Sequence, residues 1–499
     1  MKQTVFSIDL IAENGENFKQ ECPFDFDTKE ESRDAGNTCN PSETTIIAQE
    51  TPTNSNCDIN PVLQRSISSR SHYSNTLSTG RTLLYLIKGN LGAGLFAIPA
   101  AFKDAGLVGG SIGVPLMALL SIHCMHMLVK CTEVLKSRCG DPDMAMDYSQ
   151  VIETACLTGP QKMAKFATIA KRTIKISCFI KEVAFCSVFI LFAGYYLRQL
   201  VSYFYPELEW TVRYWTAVMS IPALAMACIR NHEHLHTLSY LASSIKAISL
   251  VVLFVYIFKD DLPHISERPA FSVAAHLLLY YGTVIFAFEG VTQVLPLHDN
   301  MRTTRHFRKW NGVLNTGMVL IGCLYFTLGF YGYLKYGEAT YPSITMNLPK
   351  DEIACQVVKI GLIVALLINY GNQLHAAYEI TEPTIDRHCK KKGIRLFTKI
   401  GIRALIFITS VLVALITENL ELLMSLTGAL TCTFLCLLFP PTLDIITFWN
   451  YMGWFRLAKN IFIILLSFAA FASGTFAAVM AFENYFVQED FLYGDRATT

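Results

Sequence analysis

Apolar runs of about twenty residues, the length at which a helix crosses a hydrocarbon core of about 30 Å, recur from Thr82 to the C-terminal end. Their centres fall near Leu95, Ala118, Phe189, Ala217, Val252, Ile285, Val319, Ile363, Ile408, Thr431 and Phe468, eleven in all. A chain with that pattern folds in lipid, where each span must satisfy its own backbone hydrogen bonds, so the expected class is an all-α polytopic membrane protein. Composition agrees: 16% of the 499 residues are charged and 52% are hydrophobic, against about 25% charged in soluble domains. The opening region is different. Its stretch NTCNPSETTIIAQETPTNSNCDINP has no helical or strand period, and residues 1–78 read as a disordered tail. The first residues, MKQTVFSIDLIAENGENF, lack the apolar core of a cleavable signal peptide. The expected organisation is thus a tail over 1–78, a transmembrane domain over 79–486 and a short tail over 487–499.

Lysine and arginine set the orientation. Lys130, Lys136, Arg138, Lys162, Lys165, Lys171 and Arg172 follow the second run; Arg302, Arg305, Arg308 and Lys309 follow the sixth; Arg387, Lys390, Lys391, Lys392 and Arg395 follow the eighth. These loops are expected in the cytoplasm with the N-terminal tail, and an odd number of spans puts the C-terminus on the other side. A cysteine placed at 350 should then meet an impermeant reagent on intact cells, and one at 391 should not. Most of the fifteen cysteines lie within runs or cytoplasmic segments, where thiols stay reduced, and none has metal-ligand spacing.

The first run contains KGNLGAGLFAIP, Lys88 to Pro99, in which each glycine costs a helix roughly 1 kcal/mol relative to alanine and the proline about 3. Unwound backbone at membrane depth is tolerated only where protein buries it or where it lines a water-filled cavity. In transporters made of inverted repeats, two such breaks in corresponding positions hold the substrate, with half-helix N-termini facing anionic groups. The sixth run has the matching feature, YYGTVIFAFEGVTQVLPL, with Gly282, then Glu289 and Gly290, then Pro296. Each break sets glycine beside a polar side chain, Gly89 beside Asn90 in one and Gly290 beside Glu289 in the other. The spacing points to a five-plus-five inverted repeat with an eleventh, peripheral helix. Close helix packing on small residues is the competing account of the glycines.

LIKGNLGAGLFAIPAAFKDAGLVGG, SIHCMHMLVKC, IFAFEGVTQVLPLHDNMR, SITMNLP and AYEITEP, in this order, resemble the proton-coupled amino acid transporter family of the amino acid/auxin permease superfamily. The likeness runs from about Thr79 to the last span. It implies a LeuT-like fold of eleven spans, small neutral amino acids such as glycine, alanine and proline as substrates, and proton symport in many members. The zwitterion's carboxylate would then meet the backbone N–H groups of Gly92, Ala93 and Gly94, and its ammonium the carbonyls around Phe286 to Phe288. Valine in place of Gly92 or Gly94 is expected to stop transport while surface expression survives. Asn90 offers a donor and an acceptor to substrate or to the break itself. Tyr370 and Gln373, within NYGNQLH of the eighth run, match the family's polar pattern; Asn369 and Gln373, four apart on one helix face, are expected to face the cavity.

One position departs from the pattern. Where proton-coupled relatives carry a histidine before LKGN, this chain has Tyr85, whose reference pKa near 10 makes it a poor proton carrier. Transport driven through Tyr85 should change little between about pH 5.5 and 7.5; Glu289, at membrane depth beside the break, is the other coupling candidate. Lys181 and Glu182 are read as facing the cytoplasm, Glu379 and Glu382 as snorkelling or loop-pairing residues, and His123 and His126 as interfacial packing. Enzyme chemistry is not expected, no ATP-binding G-x-x-x-x-G-K-[ST] exists, and neither a cofactor nor nucleic acid is called for at a net charge of +1. An amino-acid-sensing receptor of the same fold, signalling through its tail, is the alternative to a carrier.

Overall fold

The computed structural model describes residues 77–494 apart from 142–143, 209, 230–231 and 390, all within the unit Ile59–Thr499. The disordered tail expected before Leu77 lies outside the described residues. Apart from one parallel bridge between Leu77 and Met301, regular structure among the described residues is helical. The helices are α1 (Thr79–Asn90), α2 (Ala93–Ala105), α3 (Leu107–Arg138), α4 (Tyr148–Thr158), α5 (Ala167–Phe204), α6 (Val212–Cys228) and α7 (His232–Ile257). They continue as α8 (Ala274–Ala287), α9 (Val291–Asp299), α10 (Val313–Tyr336), α11 (Ile353–His388), α12 (Lys392–Thr417), α13 (Leu420–Thr447) and α14 (Trp454–Gly494).

Nine helices among the described residues are long and apolar enough to cross a membrane, and the bent pair α1 and α2 makes a tenth. A helix covers each of the eleven predicted centres. The one about Ala217, α6, has 17 residues, about 26 Å at 1.5 Å per residue; by length the count stands at ten, with α6 as the shorter helix at the remaining centre. The last helix runs on to Gly494, past the boundary expected at 486.

Burial explains the order of layers. Every residue of α2 except Lys103 is buried, as befits a helix apolar on all sides. It is enclosed by α8 and α10, and α8 lies in turn on α13. On the other side, α11 packs along α5 and α7. The most exposed span, α12, has 22% of its apolar window buried and α13 has 72%, so α12 meets lipid while α13 belongs to the core. Gly106 joins α2 to α3 with φ 79°, a left-handed conformation that glycine adopts without strain; a Cβ there would meet the Ala270 carbonyl oxygen at 2.7 Å.

Candidate functional site

The first break is short. The α1 helix ends at Asn90, Leu91 and Gly92 leave helical geometry, and α2 restarts at Ala93 with a bend of 53°. The Leu91 N–H closes onto the Ile87 carbonyl at 2.9 Å and that of Gly92 onto Asn90 at 2.8 Å, while no side chain caps the start of α2. Its first N–H groups are therefore open donors at the positive end of the helix dipole. The second break repeats the design. Helix α8 ends at Ala287, Gly290 precedes α9, and again no side chain caps the new helix.

The two breaks touch. Tyr325 of α10, fully buried, donates its hydroxyl to the Asn90 carbonyl and to that of Ala287 at 2.9 Å, so one phenol serves a freed oxygen from each. A Cβ on Gly94 would stand 2.6 Å from Ala287 Cα, and one on Gly290 would stand 2.8 Å from Asn90 Oδ1. Gly89 is closed in the same way by the Gln293 amide. Gly94 thus lets the backbones of α2 and α8 meet, and Gly89 and Gly290 make room for the Gln293 and Asn90 side chains between α1 and the start of α9. Gly92 differs, since a Cβ there would meet nothing within 4 Å. Asn90 donates Nδ2 to the Leu86 carbonyl at 2.9 Å, and its buried Oδ1 has no hydrogen-bond partner.

Beside the second break lies a buried charge cluster. Lys181 of α5, 2% exposed, places its ammonium 2.7 Å from Glu182 Oε1, 3.0 Å from Glu289 Oε1 and 3.1 Å from Thr292 Oγ1. Lys181 and Glu182 thus pair within the bundle and do not face the cytoplasm as expected; the correction follows from Glu289, whose burial demands a counter-charge. One ammonium against two carboxylates leaves an excess negative charge when all three are ionised, and Glu182 Oε2 is unpartnered.

The aromatic candidates act as packing. Phe286 stacks on Phe185 with centroids 4.5 Å apart, and Phe288 lies 4.9 Å from the Tyr325 ring. Their carbonyls are unequal: that of Phe286 accepts from the Glu289 N–H at 3.4 Å and that of Ala287 from Tyr325, while that of Phe288 accepts nothing among the described residues. Tyr370 turns its hydroxyl to Ser410 of α12 at 2.9 Å; Gln373 is half-buried. Tyr85 pairs its hydroxyl with that of Tyr240 in α7, on a different helix from the partners of Glu289. Glu382 accepts from Lys399 at 2.6 Å, the loop-end pairing expected of it, and His126 lies 2.6 Å from Asn315 Oδ1.

A narrow, apolar cavity opens beside Ala93 and Phe96 of α2, walled by Phe192 of α5 and by Leu362 and Leu366 of α11, with Lys246 of α7 among the residues that line it. The part of α11 that lines it, Leu362 to Leu366, falls within the two turns before NYGNQLH. Lys246 was missed altogether. Its signal was a lone lysine within the fifth apolar run, SSIKAISLVV, the mark of an ionisable residue at membrane depth.

The sequence profile of the family described as "Transmembrane amino acid transporter protein" matches residues 75–480. The chain is 32% identical over 410 residues to the Drosophila melanogaster "Proton-coupled amino acid transporter-like protein pathetic", covering 80% of this chain and 84% of that one. It is 26% identical to the Arabidopsis thaliana "Amino acid transporter AVT3C", over 78% of this chain and 87% of the other. Among solved structures it is similar to the inward-facing conformation of Mhp1, with a TM-score of 0.47 and 12% identity over 82% of this chain and 90% of that one, a likeness that adds nothing to the helix order above.

Proposed function

Because the chain belongs to the transmembrane amino acid transporter family, we propose that it carries small neutral amino acids such as glycine, alanine and proline across its membrane by alternating access, with its N-terminus in the cytoplasm. The observation that carries this reading is the pair of uncapped helix starts at Ala93 and Val291, in two breaks that Tyr325 joins through the Asn90 and Ala287 carbonyls, beside a narrow apolar cavity. Open N–H donors at the start of α2 suit a carboxylate, and the Phe288 carbonyl is the free acceptor for an ammonium. An apolar wall of leucine and phenylalanine suits a short, uncharged side chain. In this reading protons are co-transported, and the cluster of Lys181, Glu182 and Glu289 binds them in place of Tyr85. The name of the fly relative supports that part, as does the excess carboxylate beside the second break.

The test is uptake by purified protein in liposomes with an acidic exterior. Labelled alanine, glycine or proline should accumulate, with internal acidification, and unlabelled lysine or glutamate should not compete. Monodisperse protein that takes up none of the neutral amino acids would overturn the reading.

A further inference from the structure

Lys246 is 7% exposed and lines the cavity beside Ala93. Among the described residues nothing accepts a hydrogen bond from its ammonium. The charge that acts on it is a second cation, Lys88 of α1, itself lying 3.9 Å over the Tyr240 ring. The other titratable group at the cavity is Tyr196 of α5, whose hydroxyl is engaged with Ser343 at 2.9 Å and with Thr345. From α11 the facing side chains are Leu362, Ala365 and Leu366, all apolar. Burying an ammonium among hydrocarbon with another cation nearby is costly without an anion. Among the described residues none is supplied at this place.

The geometry points to Lys246 as the counter-charge for the substrate's carboxylate, which would sit between its ammonium and the open N–H groups at the start of α2. This rests on the amino acid transport reading and deepens it, since it fixes what the cavity selects. The required parts of a ligand are a carboxylate and a short apolar group. Two cations at one end exclude amino acids with cationic side chains, by repulsion and by desolvation cost.

Propionate isolates the carboxylate from the ammonium of a zwitterion, and propylamine is its complement. In the reconstituted full-length protein, propionate should compete with labelled alanine and propylamine should not. Lys246→Met should weaken alanine binding by about 10- to 100-fold, the range for a lost hydrogen bond to a charged group, and should abolish competition by propionate. Removing an unpartnered buried charge should leave the melting temperature equal or higher, an outcome that a structural role for Lys246 would not give. Wild-type alanine uptake without propionate competition, or Lys246→Met with unchanged alanine affinity, would sink the inference while leaving the transport reading intact. Wild-type protein that binds no neutral amino acid would end both.

Discussion

Gly94→Val is expected to abolish alanine uptake and to reduce the yield of monodisperse protein, because its side chain has no room. A Cβ at position 94 lies 2.6 Å from Ala287 Cα and 2.9 Å from Ala287 Cβ, so relief requires α2 and α8 to separate. Overpacking of a well-packed interior costs about 1–3 kcal/mol and more when backbone must move, which puts this substitution at the upper end. Gly92→Ala makes the contrast: no atom waits within 4 Å and its φ of −94° is open to any residue. That variant should fold at wild-type yield and show impaired transport only. The expectation that valine at either glycine would spare surface expression is therefore kept for Gly92 as the result to be tested and is revised for Gly94, whose Cβ would meet Ala287. Fluorescence-detected size exclusion beside uptake separates the cases; Gly94→Val with normal yield and normal uptake would remove the contact from the account.

The buried cluster predicts opposite consequences for its two ends. Lys181→Met strands Glu182 and Glu289, both buried, without a cation, and breaking a buried pair in this way costs about 3–5 kcal/mol. Loss of folded protein is expected, read as a lowered melting temperature in detergent. Glu289→Gln is milder for folding, since Lys181 keeps Glu182 at 2.7 Å and the amide can still accept from Thr292. It removes the excess charge, and with it the proton site. Substrate-induced acidification should disappear in Glu289→Gln while alanine binding stays within about threefold, well under 1.4 kcal/mol. Acidification that persists at the wild-type rate would move the coupling elsewhere, and a wild-type protein that moves alanine without protons would return the Tyr85 expectation of pH-independent transport.

What the sequence made legible was local. Glycine beside a polar residue inside an apolar run is a backbone signal, and both breaks fall where KGNLGAG and FAFEG place them. The partners of those breaks were not legible, because they come from helices far along the chain. Nothing near Tyr325 in LIGCLYFTLGF marks a phenol that reaches two carbonyls, and nothing near Lys181 says that its neighbour Glu182 shares it with Glu289, more than a hundred residues on. The polar run NYGNQLH gave no sign that Tyr370 sets its hydroxyl against Ser410 of α12, or that the cavity beside Ala93 takes the apolar turn just before it. Lys246 was legible in principle. A cation in an apolar run asks for a partner, and its absence from the surrounding helices emerges only once they are packed.

The claim on which everything rests is that the first break forms the substrate site, and Gly92 offers direct access to it. Cysteine introduced there, in protein cleared of its native thiols, fills open space and should react with a small thiol reagent. Alanine, glycine and proline should slow that reaction in proportion to their uptake, and lysine should not. A cysteine at position 92 modified at the same rate with and without a saturating transported amino acid would contradict the account.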